Sequence, residues 1–336
     1  MTNFDKTDSN NSGTKRKALI VISSATALPV SEPAGHAPIS TGFFLVELAQ
    51  ILKEFENDHE FVLCTPDGTV PQLDINGLSL PFMATDALTR AVVGYTVAPK
   101  GFAARNPGLV ERRTAELELA YRHLGALPVS SVLPKTDPEA AAMRDEVVDA
   151  FAKLPTKDYL SAQEVVTRHR NPDDAFSLAD FDFIHFPGGH APMVDFRDSP
   201  WIGELINLAY EEGVVLSMIC HAPVAMTSAR FRVDRDGKYR EVTDHPFAAA
   251  QLTTVPKHGE VIALTTNYPK IPGKKTRLEY YVDEALKEAG YRVLSTLDPA
   301  AIRLVWEPHL RLLTSNGPQS VDAQARQLRS IVETGR

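Results

Sequence analysis

Cysteine is almost missing from this chain of 336 residues: there are two, Cys64 and Cys220. Two thiols make neither a disulfide framework nor a cysteine-ligated zinc cluster. No run of about 18 consecutive apolar residues occurs, so no transmembrane helix is expected. Positive charge is short as well. The 35 Lys and Arg against 43 Asp and Glu leave a formal net charge of −8, which argues against a broad nucleic-acid-binding face. No pair of histidines flanks a Glu at one helical turn, so the helix-borne zinc-enzyme motif is missing, and neither a metal nor another cofactor is expected. Residues 1–16 are polar and lack the apolar centre of a secretory signal. They read as a disordered lead-in to a folded part at 17–336, with the cytoplasm as the expected compartment.

What is present suits a globular protein with a sizeable core: 43% of residues are hydrophobic and 23% charged. The run 18–24 is β-branched and apolar on both faces, as a central parallel strand would be. A Pro/Gly-rich loop at 29–38 follows. The spacing of Phe44, Leu48, Ile51, Leu52 and Phe55 then predicts a helix over 43–55, and 60–64 reads as the next strand. This is a β-α-β unit, the building block of a doubly wound, mostly parallel sheet with helices on both faces. From about 85 to 177 the pattern turns helical and charged, with helices predicted over 110–124 and 138–154, and reads as an inserted cap. The α/β rhythm resumes with a strand at 181–186 and a helix from Ser199-Pro200 to near Gly213. Then come an apolar strand at 214–219, a small hairpin within 231–245, a strand at 261–266 and a helix over 276–289. Paired strands at 301–306 and 310–314 and an amphipathic helix over 320–332 close the chain.

Cys220 is the residue that points to chemistry. It stands between an apolar strand and a short Ala/Val/Met run with helical potential, so it reads as the apex of a strand–turn–helix elbow. A thiol there meets unpaired N–H groups and the positive end of a helix dipole, which favour the nucleophilic thiolate. The bland alternative is a small buried hydrophobe at a strand end, which is the reading preferred for Cys64. Two further groups, the Gly188-Gly189-His190 turn and Glu47, fall near carboxyl ends of predicted strands, where open parallel sheets bind ligands. Gly188 and Gly189 form a turn that would let a backbone N–H approach a reacting oxygen, and the N–H of His221 would complete such an oxyanion hole. Glu47 lies in an apolar stretch and either points outward or, facing the sheet end, would have its pKa raised by burial. His221 adjoins the thiol. His190 sits at the loop edge, either lining the site or serving the turn. His36, in the Pro/Gly loop, is near enough in sequence to the first strand to reach the same mouth. His185 alternates with Phe183 and reads as structural.

Four segments resemble the ThiJ/PfpI superfamily, which has a class I glutamine amidotransferase-like fold. They are Thr41-Gly42-Phe43-Phe44-Leu45-Val46-Glu47, Phe186-Pro187-Gly188-Gly189-His190, Ile219-Cys220-His221-Ala222-Pro223 and the segment from Leu313 to Ser320. The resemblance covers roughly 17–84 and 177–334 and is closest to the larger subgroup of heat-inducible chaperones with glyoxalase III activity. It implies a flavodoxin-like α/β fold, Cys220 as nucleophile, Glu47 as acid/base partner, His221 as neighbour, and a homodimer. Two departures stand out. Ala222 replaces the commoner Gly. Where the subgroup places an acid after the strand following the elbow, Asn267 is the nearest equivalent, and an amide cannot stabilise an imidazolium by charge.

The reaction this implies is glutathione-independent conversion of methylglyoxal to lactate through a Cys220 hemithioacetal, with no cofactor. Two alternatives use the same cysteine. One is amide, isonitrile or imine hydration or hydrolysis. The other is a stress-linked chaperone or redox sensor, with Cys220 oxidised to sulfinate and held by Glu47.

Overall fold

The computed structural model describes residues 15–84, 98–266 and 268–335. Its centre is a seven-stranded sheet. The strands are β1 (Arg16–Val21), β2 (His59–Thr65), β3 (Leu160–Ser161), β4 (Phe181–Phe186), β5 (Val215–Ile219), β6 (Leu304–Glu307) and β7 (Leu312–Ser315). They lie in the order β6-β7-β5-β4-β1-β2-β3, all parallel except β6, which runs antiparallel to β7. Around the sheet pack α1 (Leu45–Phe55), α2 (Pro107–His123), α3 (Pro138–Ala152), α4 (Ala162–Arg170), α5 (Pro200–Glu211), α6 (Lys257–Thr266), α7 (Val282–Glu288) and α8 (Val321–Thr334). The expected doubly wound, mostly parallel, flavodoxin-like α/β architecture is the one observed. Among the described residues, no helix is long and apolar enough to cross a membrane.

Successive residues of a strand point to opposite faces, and here both faces are covered. Leu19 and Val21 of β1 join Ile184, Phe186, Leu216 and Met218 in one apolar layer, sealed by Ile202, Leu205 and Ile206 of α5. Ala18 and Ile20 join Phe183, Val215 and Leu313 in the other, sealed by Leu48, Ile51 and Phe55 of α1 and by Leu328 of α8. Each such side chain contributes about 1.5–3 kcal/mol when fully buried. Leu117 and Ala120 of α2 and Phe151 of α3 pack into this second layer. Residues 98–177 thus share the core of the sheet, and through Leu160, paired with Cys64, they also supply its last strand.

Several local expectations are corrected. Residues 261–266 are not a strand but the end of α6. Its buried positions are Glu260 and Leu264, one helical turn apart and in line with the buried Pro256 just before the helix, while Ile262, Thr265 and Thr266 are exposed. The helix expected from 276 begins at Val282, because Arg277–Leu278 pair with Val30–Glu32 as a two-stranded ribbon. The predicted hairpin is present, with Phe231–Val233 against Tyr239–Glu241. The segment leaving the elbow, Ala222–Arg230, is a 3₁₀ helix.

That 3₁₀ helix lies directly on α5. A Cβ built at Gly203 would stand 2.0 Å from the Ser228 carbonyl oxygen, and Asn207 Nδ2 donates to the carbonyls of Gly203, Ala229 and Phe231. Gly203→Ala should therefore lower stability by about 1–3 kcal/mol, although Gly→Ala inside a helix ordinarily stabilises. Urea denaturation of the variant measures this, and unchanged stability would contradict the close contact.

Candidate active site

The carboxyl ends of β1, β4 and β5 lie side by side, and the chain leaving each brings one part of the site. Cys220 follows β5 directly with φ of 63°, in the left-handed region, where a non-glycine residue pays about 1–2 kcal/mol. Three hydrogen bonds hold it there. Its N–H donates to the Ser315 carbonyl at 2.9 Å, and its own carbonyl accepts from Val255 N–H at 3.3 Å and from Thr254 Oγ1 at 2.6 Å. The tip of β7 and the segment 254–255 thereby fix the elbow from both sides.

The turn after β4 must come very close. A Cβ at Gly188 would stand 2.6 Å from Cys220 Cβ and 2.7 Å from Glu47 Oε2, so only glycine admits the thiol and the carboxyl together. Gly189, at φ of 88°, pairs as an isolated bridge with Phe43 at the start of the α1 segment. Glu47 lies in the first turn of α1, fully buried. Burial raises its pKa to about 8, against the opposing pull of the Cys220 thiol, the Gly188 and Gly189 backbone and His190. Neither carboxyl oxygen has a partner at good hydrogen-bond geometry. At neutral pH Glu47 is a protonated acid beside the thiol.

Sequence reasoning missed Glu260, at the start of α6. One of its oxygens, Oε2, accepts from His221 Nε2 at 2.8 Å, and Oε1 accepts from His190 Nε2 at 2.8 Å. Burial pushes this carboxylate up, but the two imidazoles outweigh it and hold it well below the usual range. An ionised carboxylate only accepts, so both Nε2 atoms carry hydrogen. His221 Nδ1 is then left facing Cys220 Sγ at 3.2 Å. Burial lowers the pKa of His221, and the neighbouring His190 lowers it further, so its Nδ1 is a free base. Burial opposes a charge on His190 as well, but Glu260, Asp74 and Glu47 raise its pKa. The result is a Cys220–His221–Glu260 relay with His190 sharing the carboxylate.

The thiol itself does not rest ionised, contrary to the expectation from a helix N-terminus. Burial pushes its pKa well above the ordinary value, the Glu47 carboxyl adds to that, and Gly189 N–H only partly opposes it. Cys64 is buried in the core, and burial pushes its pKa up too. His185 is spent structurally, bonding Ser217 Oγ at 3.1 Å and the Glu47 carbonyl at 3.1 Å. His36 is not brought to the site. It is exposed, with Nδ1 donating to the Ala37 carbonyl at 2.6 Å, because the ribbon that Val30–Glu32 forms with Arg277–Leu278 carries its loop elsewhere. Asn267 lies outside the described residues. The orienting position assigned to it is filled by Glu260. His190, His221 and Glu260 are also the group among the described residues whose atoms could ligate a metal ion, and here those atoms bind one another.

The raised pKa of Glu47 ties stability to pH. Its folded value of about 8 exceeds the ordinary 4.5, so the folded protein holds a proton that the unfolded chain has lost. Its contribution is fully present below pH 4.5, falls as pH rises by on the order of 1 kcal/mol per unit, and is gone above about 8. Glu47→Gln should remove this slope. Denaturation of both proteins across that window measures it, and parallel curves would contradict a protonated Glu47.

No family model matches the chain. Among curated proteins it is similar to the probable glutathione-independent glyoxalase hsp3103 of Schizosaccharomyces pombe, 26% identical over 156 residues, which are 46% of this chain and 52% of that protein. The match thus spans about half the length of the curated relative. Among solved structures it is similar to the Rapid Encystment Protein 24 kDa of Francisella tularensis, with a TM-score of 0.52 and 16% identity over 94% of this chain and 99% of that one. Glyoxalase III of Candida albicans gives a TM-score of 0.50 and 15% identity over 94% and 96%. The chain has the fold of these structures, which is the α/β fold that the resemblance of its four motifs implied.

Proposed function

We propose that this protein is a cofactor-independent enzyme that converts small 2-oxoaldehydes to 2-hydroxy acids, methylglyoxal to lactate being the simplest case. The observation that supports this most is the set of three side chains around one sulfur: a neutral base at 3.2 Å, the carboxylate behind that base, and a protonated carboxyl on the other side. The likeness to proteins described as glyoxalases supports it independently.

The steps follow from those protonation states. His221 Nδ1 takes the thiol proton as the sulfur bonds to the aldehyde carbon, and Glu47 gives its proton to the aldehyde oxygen, leaving a hemithioacetal. Glu260 stabilises the imidazolium that forms. The Gly189 and His221 N–H groups serve the oxygen while it carries charge. Glu47, now a carboxylate, removes the hydrogen from the thiol-bearing carbon, and His221 protonates the neighbouring carbonyl oxygen, giving an enediol. Glu47 returns its proton to the second carbon and His221 recovers the hydroxyl proton, which leaves a thioester. Water cleaves the carbon–sulfur bond, releasing the hydroxy acid and the free thiol. One carbon is oxidised and its neighbour reduced, so no external oxidant enters.

Purified protein incubated with methylglyoxal should yield lactate without glutathione. Cys220→Ala should abolish the conversion. Glu260→Gln, which puts an amide between two N–H donors, should lower kcat by about 100-fold or more with a smaller change in KM. Equal turnover by wild type and Cys220→Ala would overturn the reading.

A further inference from the structure

The cleft above Cys220 has a composition that a three-carbon dicarbonyl does not need. It encloses about 570 Å³, counting its open mouth. Its walls are largely Phe44, Phe82, Val255, Ala263, Pro299 and Pro318. The polar groups that border it are mostly committed. Tyr268 turns its hydroxyl away to Asp74 at 2.7 Å and presents its ring. Asn316 spends its amide on the Ala301 carbonyl, Arg303 N–H and Ser320 Oγ. What remains polar is the relay, gathered at one end, and the Gln319 Oε1, a buried acceptor without a partner whose Nε2 is spent on the Pro299 and Ala301 carbonyls.

Charge is equally one-sided. No Lys or Arg lines the cleft among the described residues, while Glu260 is ionised at its base. A phosphate or carboxylate on the substrate would lose water and find no Lys or Arg, since the one basic group turned toward it, the His190 imidazole, is already paired with the buried Glu260 anion. A methyl group would leave most of the apolar wall uncovered. A larger apolar group would displace water from Phe44, Phe82 and Pro318 and gain the transfer free energy of that contact.

Resting on the activity proposed above, we infer that the preferred substrates are neutral 2-oxoaldehydes bearing an aryl or branched-alkyl substituent, with the dicarbonyl end at Cys220 and the apolar end against Phe44, Phe82 and Ala263. Methylglyoxal is then a poor member of the class. Anionic members, such as phosphorylated or carboxylated aldehydes, are excluded.

The test compares kcat/KM for phenylglyoxal, methylglyoxal and a 2-oxoaldehyde with a carboxyl-terminated side chain, each measured as hydroxy-acid formation. Phenylglyoxal should exceed methylglyoxal by roughly tenfold or more, and the anionic compound should fall below both. Intrinsic aldehyde reactivity is controlled by two variants, with folding checked by thermal denaturation. Ala263→Phe fills the cleft and Phe82→Ala removes part of its wall, and each should cut the phenylglyoxal-to-methylglyoxal ratio by roughly fivefold or more. Turnover with methylglyoxal preferred, or a ratio that neither variant moves, would overturn this inference and leave the proposed activity standing. Absence of turnover with all three compounds would overturn the activity itself.

Discussion

One buried carboxylate governs the chemistry of this protein. Glu260 has an oxygen for each of two imidazoles, and neither bond can be lost without leaving a charge in an apolar interior. Because it only accepts, it dictates where the hydrogens of His190 and His221 sit. That choice leaves His221 Nδ1 free, 3.2 Å from the only thiol at the cleft. His190 gives the carboxylate a second partner and keeps His221 neutral. The nucleophile is consequently a thiol with a base already in place, and the negative charge it acquires belongs to the reaction rather than to the resting protein.

The sheet makes this arrangement possible by ending three parallel strands together. β5 delivers Cys220, β4 delivers the Gly188-Gly189-His190 turn, and β1 leads into the segment that carries Glu47. The strain at Cys220 is held by β7 through Ser315 and by the 254–255 segment that runs on into α6. The same segment therefore fixes the elbow backbone and introduces the carboxylate that orients its base. Gly188 is the steric condition for all of it, since a methyl group there would occupy the space in which thiol and carboxyl meet.

Much of this was legible in the sequence. The apolar runs of β1, β4 and β5 are continuous because both faces of the sheet are covered, and the elbow and glycine turn announce themselves by residue type at strand ends. Glu47 was ambiguous, since periodicity alone does not say whether a carboxyl near a helix N-terminus faces solvent or sheet. Glu260 was missed for a definite reason. Val261-Ile-Ala-Leu-Thr-Thr has strand composition, and reading it so moved the expected acid to the strand's far end, at Asn267. The helical signal was the buried spacing of Pro256, Glu260 and Leu264, visible only when a carboxylate is allowed on the buried face. The protonation of the thiol was misjudged because local sequence reports the helix end and not the burial that outweighs it.

The account stands or falls on Cys220 resting as a neutral thiol beside a neutral base. The direct measurement is the ultraviolet thiolate absorbance of wild type minus Cys220→Ala as a function of pH. It should show no thiolate at neutral pH, with ionisation appearing only well above the ordinary thiol value of 9.0. A full thiolate signal at neutral pH would mean that the proton has already passed to His221, and would contradict the arrangement that Glu260 imposes.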